Sequence, residues 1–533
     1  MSARAHVFTV DGKPFFPLGG QVHNSSAYRA EDMEVAWRAL ELMHANTAEV
    51  PVYWEQVEPE EGRFDFASVD MLLEGARARG LRLVLLWFAT WKNGVMAYAP
   101  AWVKADTARF RRVVGPGGLP IAVLSSHCEA TRDADARAFT ALMRHLRERD
   151  AAERTVIAVQ VENEPGILGS DRDYGPEAER ELRSPVPAGL VEVIAHAEGS
   201  AAHAAWRAQG ERAAGTWPEL FGPMAGELLT AHSIARYIDA IAAAGKQAYD
   251  LPLYTNVWLG EMGWRTAGVS YPSGGGTLTA LDIWRYAAPH LDLIAPDIYI
   301  EAHAGYRAIC AGYARPDNPL FIPESMPGGA NTRNMFYAIA EHGAVGYAAF
   351  GIESLLGPDG EPHPERRALI DSFRCAAAAI PLILRYQAAG QLYAVAQEEH
   401  MGAQYIDMGD YEAMAVFSEG DQGFIWRDFR HPRAATPERG RGLIIRAGER
   451  ELFLCGAGYR LIVRRKQEPR AILATPQLSE QFLAARLAGH VLIEEGRFEG
   501  ETWVPGRRRN GDEMDYGLWV APDVGLVRVI LAE

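Results

Sequence analysis

The sequence predicts an α/β fold: a (β/α)8 TIM barrel over residues 1–385, followed by a smaller, mostly β domain over residues 386–533. Eight short apolar runs alternate with stretches of helical periodicity in the first part. Most of these runs are continuous, as in strands that are buried on both faces. Beyond residue 385, glycine-punctuated β-like runs replace the helices. Eight strand-then-helix units in succession are typical of the TIM barrel.

The predicted elements follow one another in regular order. The eight candidate strands are residues 17–23, 47–54, 82–88, 156–163, 251–257, 291–299, 319–325 and 344–352. Amphipathic patterns between them predict helices over 31–45, 69–79, 134–149, 225–248, 279–288 and 331–341. The connections 89–155 and 164–250 are long, and we expect them to wall the site at the rim where barrel strands end. In the second domain the β-like runs are 411–418, 423–426, 442–445, 451–455, 459–463 and 526–531.

Composition excludes several classes of protein. The chain has 533 residues, with 53 Lys+Arg against 69 Asp+Glu, a formal charge of −16. An acidic protein repels phosphate backbones and anionic lipid, so we predict neither a nucleic-acid nor a membrane partner. The four cysteines are widely separated, and no metal-binding motif occurs, so we predict no disulfide framework, metal or other cofactor.

The carboxyl ends of the predicted strands carry many acidic, amide and aromatic residues. Such a mixture suits a sugar, whose flat faces stack on aromatic rings and whose hydroxyls bond to amides and carboxylates. Two glutamates stand out: Glu164 closes the fourth strand, and Glu324 closes the seventh. A closed barrel would bring them across one mouth. Glu162 competes with Glu164, since alternate strand residues share a face, but it lies deeper.

Paired carboxylates are what the cleavage of a glycosidic bond needs. One is protonated and gives its proton to the leaving oxygen, whereas the other is ionised and attacks or stabilises the anomeric carbon. Burial and mutual repulsion separate the two pKa values.

Several sequence motifs of the predicted barrel resemble those of a known family. The run Gln160-Val161-Glu162-Asn163-Glu164-Pro165-Gly166 is similar to the acid/base motif of retaining TIM-barrel glycosidases. Residues 50–66, beginning Val-Pro-Val-Tyr-Trp-Glu, resemble a strand-two signature shared by β-galactosidase families 35 and 42. Residues 15–23 are similar to the first barrel strand of glycoside hydrolase family 35, and the run 87–94 and the β-rich C-terminal part resemble its bacterial branch.

The resemblance implies a retaining exo-glycosidase, foremost a β-galactosidase that releases terminal β-D-galactose by double displacement from oligosaccharides, plant cell-wall fragments among them. It implies Glu164 as general acid/base and Glu324 as nucleophile, with carboxyl groups about 5–5.5 Å apart. It also implies that Asn163 binds the sugar 2-hydroxyl and that Tyr299 hydrogen-bonds Glu324.

Further rim residues are predicted to contact the substrate. Gln21 and His23 are candidates for binding hydroxyls, and Glu55 for contacting the non-reducing sugar, with a rim salt bridge as its alternative. Among the tryptophans, Trp87 and Trp258 are the favoured stacking platforms because they stand at strand ends.

Other interpretations stay open. One is a non-catalytic carbohydrate-binding protein on a TIM barrel, since fold does not fix function. Others are a retaining β-glycosidase of different sugar specificity and a barrel lyase or aldolase, although no Schiff-base lysine or metal cluster stands out. The C-terminal part either binds polysaccharide or braces the barrel or a homodimer. The N-terminus lacks an apolar signal region, which predicts a cytoplasmic protein, or a periplasmic or secreted one if a signal peptide has been removed.

Overall fold

A computed structural model of the chain describes residues 8–261, 263–399, 401–417, 439–466, 489–511 and 517–532. Within them, eight parallel strands confirm the predicted barrel. They are β1 (Leu18–Gln21), β2 (Thr47–Tyr53), β3 (Arg82–Lys92), β4 (Val156–Asn163), β5 (Leu253–Trp258), β6 (Leu293–Asp297), β7 (Phe321–Ile322) and β8 (Gly346–Phe350).

The strands form a ring that closes at the rim of the site. Neighbouring strands pair in the order β6-β5-β4-β3-β2-β1-β8-β7. Just beyond β6 and β7, Ile298 and Ser325 form a parallel bridge, and the Ile298 N–H donates to the Glu324 carbonyl at 2.9 Å. The ring therefore closes at the carboxyl ends of the strands, where barrels of this kind carry their active sites.

One helix of the outer ring follows each barrel strand. These helices are α1 (Ala30–Leu42), α2 (Ala67–Ala78), α3 (Glu129–Asp150), α4 (Ala225–Ala248), α5 (Leu281–Ala287), α6 (His303–Tyr313), α7 (Gly329–Glu341) and α8 (Arg367–Tyr386). Each helix turns an apolar stripe towards the strands, and the strands are buried on both faces. In β3, for example, Leu83, Val84, Leu85 and Leu86 are all 0% exposed, as the continuous apolar run predicts.

The two long connections carry structure of their own and meet above the rim. The connection after β3 contains the helix Ala101–Ala105 and a hairpin of Arg112–Val114 with Pro120–Leu124. The connection after β4 contains four short helices: Pro176–Leu182, Ala188–His196, Ala201–Ala208 and Trp217–Phe221. The Leu168 N–H donates to the Gly94 carbonyl at 3.1 Å, which joins the two connections beside the end of β4.

The part of the chain after α8 is built of strands. These are β9 (Leu392–Ala396), β10 (Ala403–Met408), β11 (Tyr411–Phe417), β12 (Arg441–Arg446), β13 (Glu451–Ala457), β14 (Tyr459–Arg465), β15 (His490–Glu499), β16 (Thr502–Arg508), β17 (Leu518–Trp519) and β18 (Leu526–Leu531). They form a six-stranded sheet, ordered β9-β12-β13-β18-β15-β16, and a four-stranded sheet, ordered β10-β11-β14-β17. The predicted run 423–426 lies outside the described residues.

The six-stranded sheet packs against the barrel through α8. One hydrophobic cluster includes Phe373 and Ala379 of α8 together with Leu443, Phe453 and Cys455 of the sheet. The predicted boundary at residue 385 falls in the last turn of α8, and the division into residues 1–385 and 386–533 stays a prediction. None of the helices in the described residues is long and apolar enough to cross a membrane.

Candidate active site

The two glutamates singled out by the sequence face each other at the barrel mouth. Glu164 directly follows β4 and is 6% exposed, and Glu324 follows β7 and is 4% exposed. One carboxylate oxygen of each lies within 4.8 Å of the other, and an oxygen of Asp297 also lies within 4.8 Å of both. Carboxyl groups this near to each other fit a retaining glycosidase, in which they are roughly 5–5.5 Å apart, better than an inverting one, in which they are roughly 6.5–9.5 Å apart.

Glu324 receives hydrogen bonds from four side chains, contributed by four different strand ends. They are Gln21 Nε2 at 2.7 Å, Asn256 Nδ2 at 3.3 Å and Asn163 Nδ2 at 3.4 Å, all to Oε1, and the Tyr299 hydroxyl at 2.7 Å to Oε2. Donors of this kind stabilise an ionised carboxylate and fix its orientation. These four hydrogen bonds hold the Glu324 carboxyl group in one orientation at the mouth.

Glu164 has the opposite environment. Burial raises its pKa from the usual 4.5 to about 7, and the nearby charge of Glu324 adds to this effect, while the charge of Lys92 opposes it. A carboxyl group with a pKa near 7 still carries its proton in a large share of the molecules in neutral solution and can deliver it to a leaving group. The pair therefore consists of a proton donor and an oriented carboxylate.

The backbone at the end of β4 brings two adjacent residues into the mouth. Glu162 and Glu164 have φ angles of +63° and +44°, in the left-handed region that non-glycine residues rarely adopt. Hydrogen bonds hold this bend: the Glu164 N–H donates to Asn256 Oδ1 at 2.7 Å, and the Asn93 N–H donates to the Asn163 carbonyl at 3.1 Å. Asn163 and Glu164 thus both face Glu324, although neighbours in a regular strand face opposite ways.

The same bend corrects the expectation that Glu162 competes for the role of acid. The Glu162 carboxylate accepts the Trp91 N–H at 2.7 Å and lies beside Asp135 of α3, in the layer between strands and helices. Its pKa is raised by burial and by the charge of Asp135. Glu162 does not share the face of Glu164, because the backbone between them departs from strand geometry.

Lys92 orients Asn163 and adds a positive charge to the site. Its ammonium group donates to Asn163 Oδ1 at 2.9 Å and also to Asn93 Oδ1. With its oxygen bound to Lys92, the Asn163 amide must direct its NH2 group towards Glu324 and the mouth. Lys92 is the last residue of β3 and is 7% exposed, so its charge acts inside the site.

Asp297 is the site residue that the sequence interpretation missed. It ends β6, is 3% exposed, and accepts a hydrogen bond from Asn256 Nδ2 at 2.7 Å. Burial raises its pKa well above the usual range, and the charges of Glu324 and Glu164 add to the shift. The sequence did contain a signal for Asp297. It lies two residues before the predicted site residue Tyr299 at a strand end, and residues two apart in a strand share a face.

Trp87 is not a stacking platform, contrary to the prediction. It is 0% exposed, its indole N–H donates to Asp135 Oδ1 at 2.9 Å, and its ring packs on Phe139 of α3. The side chain therefore points outwards into the layer between strands and helices. The next residue, Phe88, belongs to the opposite face, and Lys92 lies 5.1 Å from the centre of its ring.

The remaining predicted residues stand at the rim. Glu55 is bound by the Tyr28 hydroxyl at 2.5 Å and by Lys104 at 3.4 Å, which is the salt-bridge alternative. His23 is exposed and packs edge-on against Phe350, with ring centres 5.4 Å apart. Trp258 ends β5 and is partly exposed. The predicted sugar contacts of these three residues stay predictions.

Three acidic groups of the described residues, Glu164, Asp297 and Glu324, are close enough together to hold a metal ion. Several hydrogen-bond donors would compete with a cation for these oxygens. Amide and hydroxyl donors already occupy the oxygens of Glu324, and Asn256 occupies Oδ2 of Asp297. Lone pairs that accept these hydrogen bonds are not free to ligate a cation.

Two family models match parts of the chain. The model of glycoside hydrolase family 42, described as beta-galactosidase, matches residues 23–188, and a domain of unknown function, DUF5597, matches residues 369–521. The matching family is thus 42 and not the predicted family 35. The strand-two segment resembles both families, and the choice of family 35 rested on residues 15–23, the run 87–94 and the β-rich C-terminal part.

Individual relatives are also glycosidases by name. A beta-galactosidase of Xanthomonas manihotis is 32% identical over 176 residues, which are 31% of this chain and 26% of that protein. The chain thus spans about a quarter of the length of the curated relative that it matches.

Two solved structures of glycosidases show a weak similarity to the chain. The beta-galactosidase of Bacillus circulans sp. alkalophilus has a TM-score of 0.48 and 16% identity, over 69% of this chain and 57% of that chain. The exo-beta-1,4-mannosidase Op5Man5 of Opitutaceae bacterium strain TAV5 has a TM-score of 0.43 and 14% identity, over 71% and 62% of the two chains.

Proposed function

We propose that the protein is a retaining exo-glycosidase, and specifically a β-galactosidase that removes terminal β-D-galactose from oligosaccharides. The observation that carries the proposal is the pairing of Glu164, whose pKa is raised to about 7, with an oriented Glu324 carboxylate, with oxygens within 4.8 Å of each other. Two such groups at this distance are the requirement of double displacement. The match of residues 23–188 to a beta-galactosidase model supports the choice of sugar.

The reaction proceeds in two steps. In the first, an oxygen of Glu324 forms a bond to the anomeric carbon while the bond to the leaving oxygen breaks and Glu164 gives its proton to that oxygen. In the second, Glu164 takes a proton from a water molecule, whose oxygen attacks the anomeric carbon and releases Glu324. Two inversions at one carbon give net retention.

Asn163 and Tyr299 serve different parts of this cycle. Asn163 Nδ2 binds the sugar 2-hydroxyl as charge develops on the ring, a contact that strengthens in the transition state. Tyr299 keeps Glu324 ionised and pointed at the anomeric carbon through its 2.7 Å hydrogen bond. Gln21 shares this task from β1, where its amide donates to the other oxygen of Glu324.

The experiment is the hydrolysis of a panel of nitrophenyl β-glycosides, with the anomer of the released sugar followed by NMR. We expect galactose to be released first as the β-anomer. Glu324→Gly should lower turnover by at least about 10⁴-fold, and azide should rescue it by forming a glycosyl azide of inverted configuration. A wild-type protein that cleaves none of the panel would favour a carbohydrate-binding protein, and release of another sugar would favour a different β-glycosidase.

A further inference from the structure

Asp297 occupies a position between the two glutamates that the proposed mechanism does not use. Its Oδ2 accepts the Asn256 amide, whereas its Oδ1 is buried with no hydrogen-bond partner among the described residues. One of its oxygens lies within 4.8 Å of an oxygen of Glu164 and of Glu324. A buried oxygen without a partner is costly unless it carries a proton that it can donate.

The groups around Glu164 decide which charge state of Asp297 the site can hold. Glu324 faces Glu164 from the end of β7, Asp297 from the end of β6 and Lys92 from the end of β3. Three ionised carboxylates within 4.8 Å, with a single lysine near them, would repel one another strongly. With Glu324 as the anion, the geometry favours a proton on Asp297.

We propose that Asp297 is a positioning residue whose protonated carboxyl group donates a hydrogen bond to Glu164. The inference rests on the proposed function, since it concerns the acid/base of that reaction. After Glu164 has given its proton to the leaving oxygen, it is a carboxylate buried beside Glu324, which by then is bound to the sugar. The hydrogen bond from Asp297 and the charge of Lys92 stabilise that carboxylate until a water molecule returns a proton to it.

The proton count of the cycle is unchanged by this role. Asp297 keeps its own proton throughout, and the proton that moves is the one shuttled between Glu164, the leaving oxygen and water. Asn256 fixes the orientation, because its oxygen accepts the Glu164 N–H and its NH2 group donates to Asp297. Asp297 can therefore direct only Oδ1 towards Glu164.

Two substitutions of Asp297 test whether its carboxyl group is protonated and donates to Glu164 or is ionised beside it. In Asp297→Asn the amide oxygen can accept from Asn256 while the NH2 group donates to Glu164, so the alkaline limb of the pH profile of kcat/KM should stay in place. In Asp297→Ala the donor is lost, and the limb should move up by about one pH unit, with about tenfold lower kcat. The matched control is Asp282→Asn on α5, which pairs with Arg315 away from the site and should leave the limb unchanged.

A second readout needs no substrate. Carbon-13 NMR of protein labelled at the glutamate carboxyl carbons, with the Glu164 signal assigned from Glu164→Gln, reports the titration of Glu164 in wild type and in both Asp297 variants. Thermal unfolding of each variant establishes that it is folded.

The outcomes distinguish this inference from the proposed function. If Asp297→Asn lowered the pKa of Glu164, the inference would be refuted. That result would mean that Asp297 is ionised in the wild type, where its negative charge raises the pKa of Glu164. An unchanged titration in Asp297→Ala would equally overturn it. If wild type hydrolyses no glycoside, the proposed function fails by itself, and the NMR titration still decides whether Asp297 bonds to Glu164.

Discussion

The Tyr299 hydroxyl donates to Glu324 Oε2 at 2.7 Å, and this bond joins the ends of β6 and β7 directly above the barrel core. A hydrogen bond to a charged group contributes about 1.5–3 kcal/mol. We therefore expect Tyr299→Phe to lower kcat/KM by about 10- to 100-fold while the protein stays folded. Tyr313→Phe is the control, since that hydroxyl donates to the Gly276 carbonyl instead. Equal losses in the two variants would speak against a role for the Tyr299 bond.

Glu164 should matter most when the leaving group is poor. Glu164→Gln cannot supply a proton, so hydrolysis of a galactosyl disaccharide should fall by about 10²- to 10⁴-fold. A dinitrophenyl galactoside leaves without protonation, and its first step should be almost unaffected, which a rapid burst of dinitrophenol would reveal. The same loss of first-step rate for both substrates would contradict the assignment of the acid.

The pH profile should reflect the raised pKa of Glu164. Because the acid works only when protonated, kcat/KM should fall as the pH rises through about 7. The charge of Lys92 lowers this pKa, so Lys92→Met should raise it and move the alkaline limb upwards, with slower turnover as Asn163 loses its anchor. Lys104→Met, which removes the partner of Glu55, should leave the limb in place. A downward shift in Lys92→Met would contradict this electrostatic assignment.

Stability should also depend on pH through the buried carboxyl groups. Burial raises the pKa of both Glu162 and Asp135, so the folded chain keeps protons that the unfolded chain loses near pH 4. Their stabilising effect is complete below that pH and is lost as the pH rises through the raised values. Glu162→Gln should make the free energy of unfolding fall less steeply with pH, by up to about 1.4 kcal/mol per pH unit. Urea unfolding between pH 5 and 8 measures the slope, and a steeper slope in the variant would overturn the assignment.

Trp87 and Trp258 should respond differently to substitution. Trp87→Phe leaves Asp135 without its indole donor inside the protein, and we expect it to lower stability by about 1–3 kcal/mol with KM unchanged. Trp258→Ala, at the partly exposed end of β5, should raise KM with little loss of stability. Denaturant unfolding and steady-state kinetics on both variants check this contrast, which fails if Trp87→Phe changes KM.

Most of the barrel was predictable because its strands are continuous apolar runs. The predicted strand 156–163 has the bounds of β4, and the other seven differ from the structure by a few residues at their ends. Helices α6 and α8 have no counterpart among the six predicted patterns. Glycines at 305 and 312 and a proline at 381 within these helices weaken their helical signal.

The strand pattern also explains which positions of the site could be predicted from the sequence. The sequence places Glu164, Glu324 and Tyr299 together because parallel strands bring their carboxyl ends to one rim. It misplaces Trp87 because a strand buried on both faces carries no alternation to show which residues point inwards. The outward turn of Glu162 depends on a left-handed φ that no local pattern predicts.

The packing of the six-stranded sheet on α8 bears on how such a protein can arise. Since α8 closes the ring of barrel helices and its other face lies against Phe453 and Cys455, the last helix belongs to both halves at once. A chain that ended after residue 385 would expose a hydrophobic patch on the outer face of α8. A barrel that lost the sheet would need polar substitutions on the exposed face of α8 at the same time.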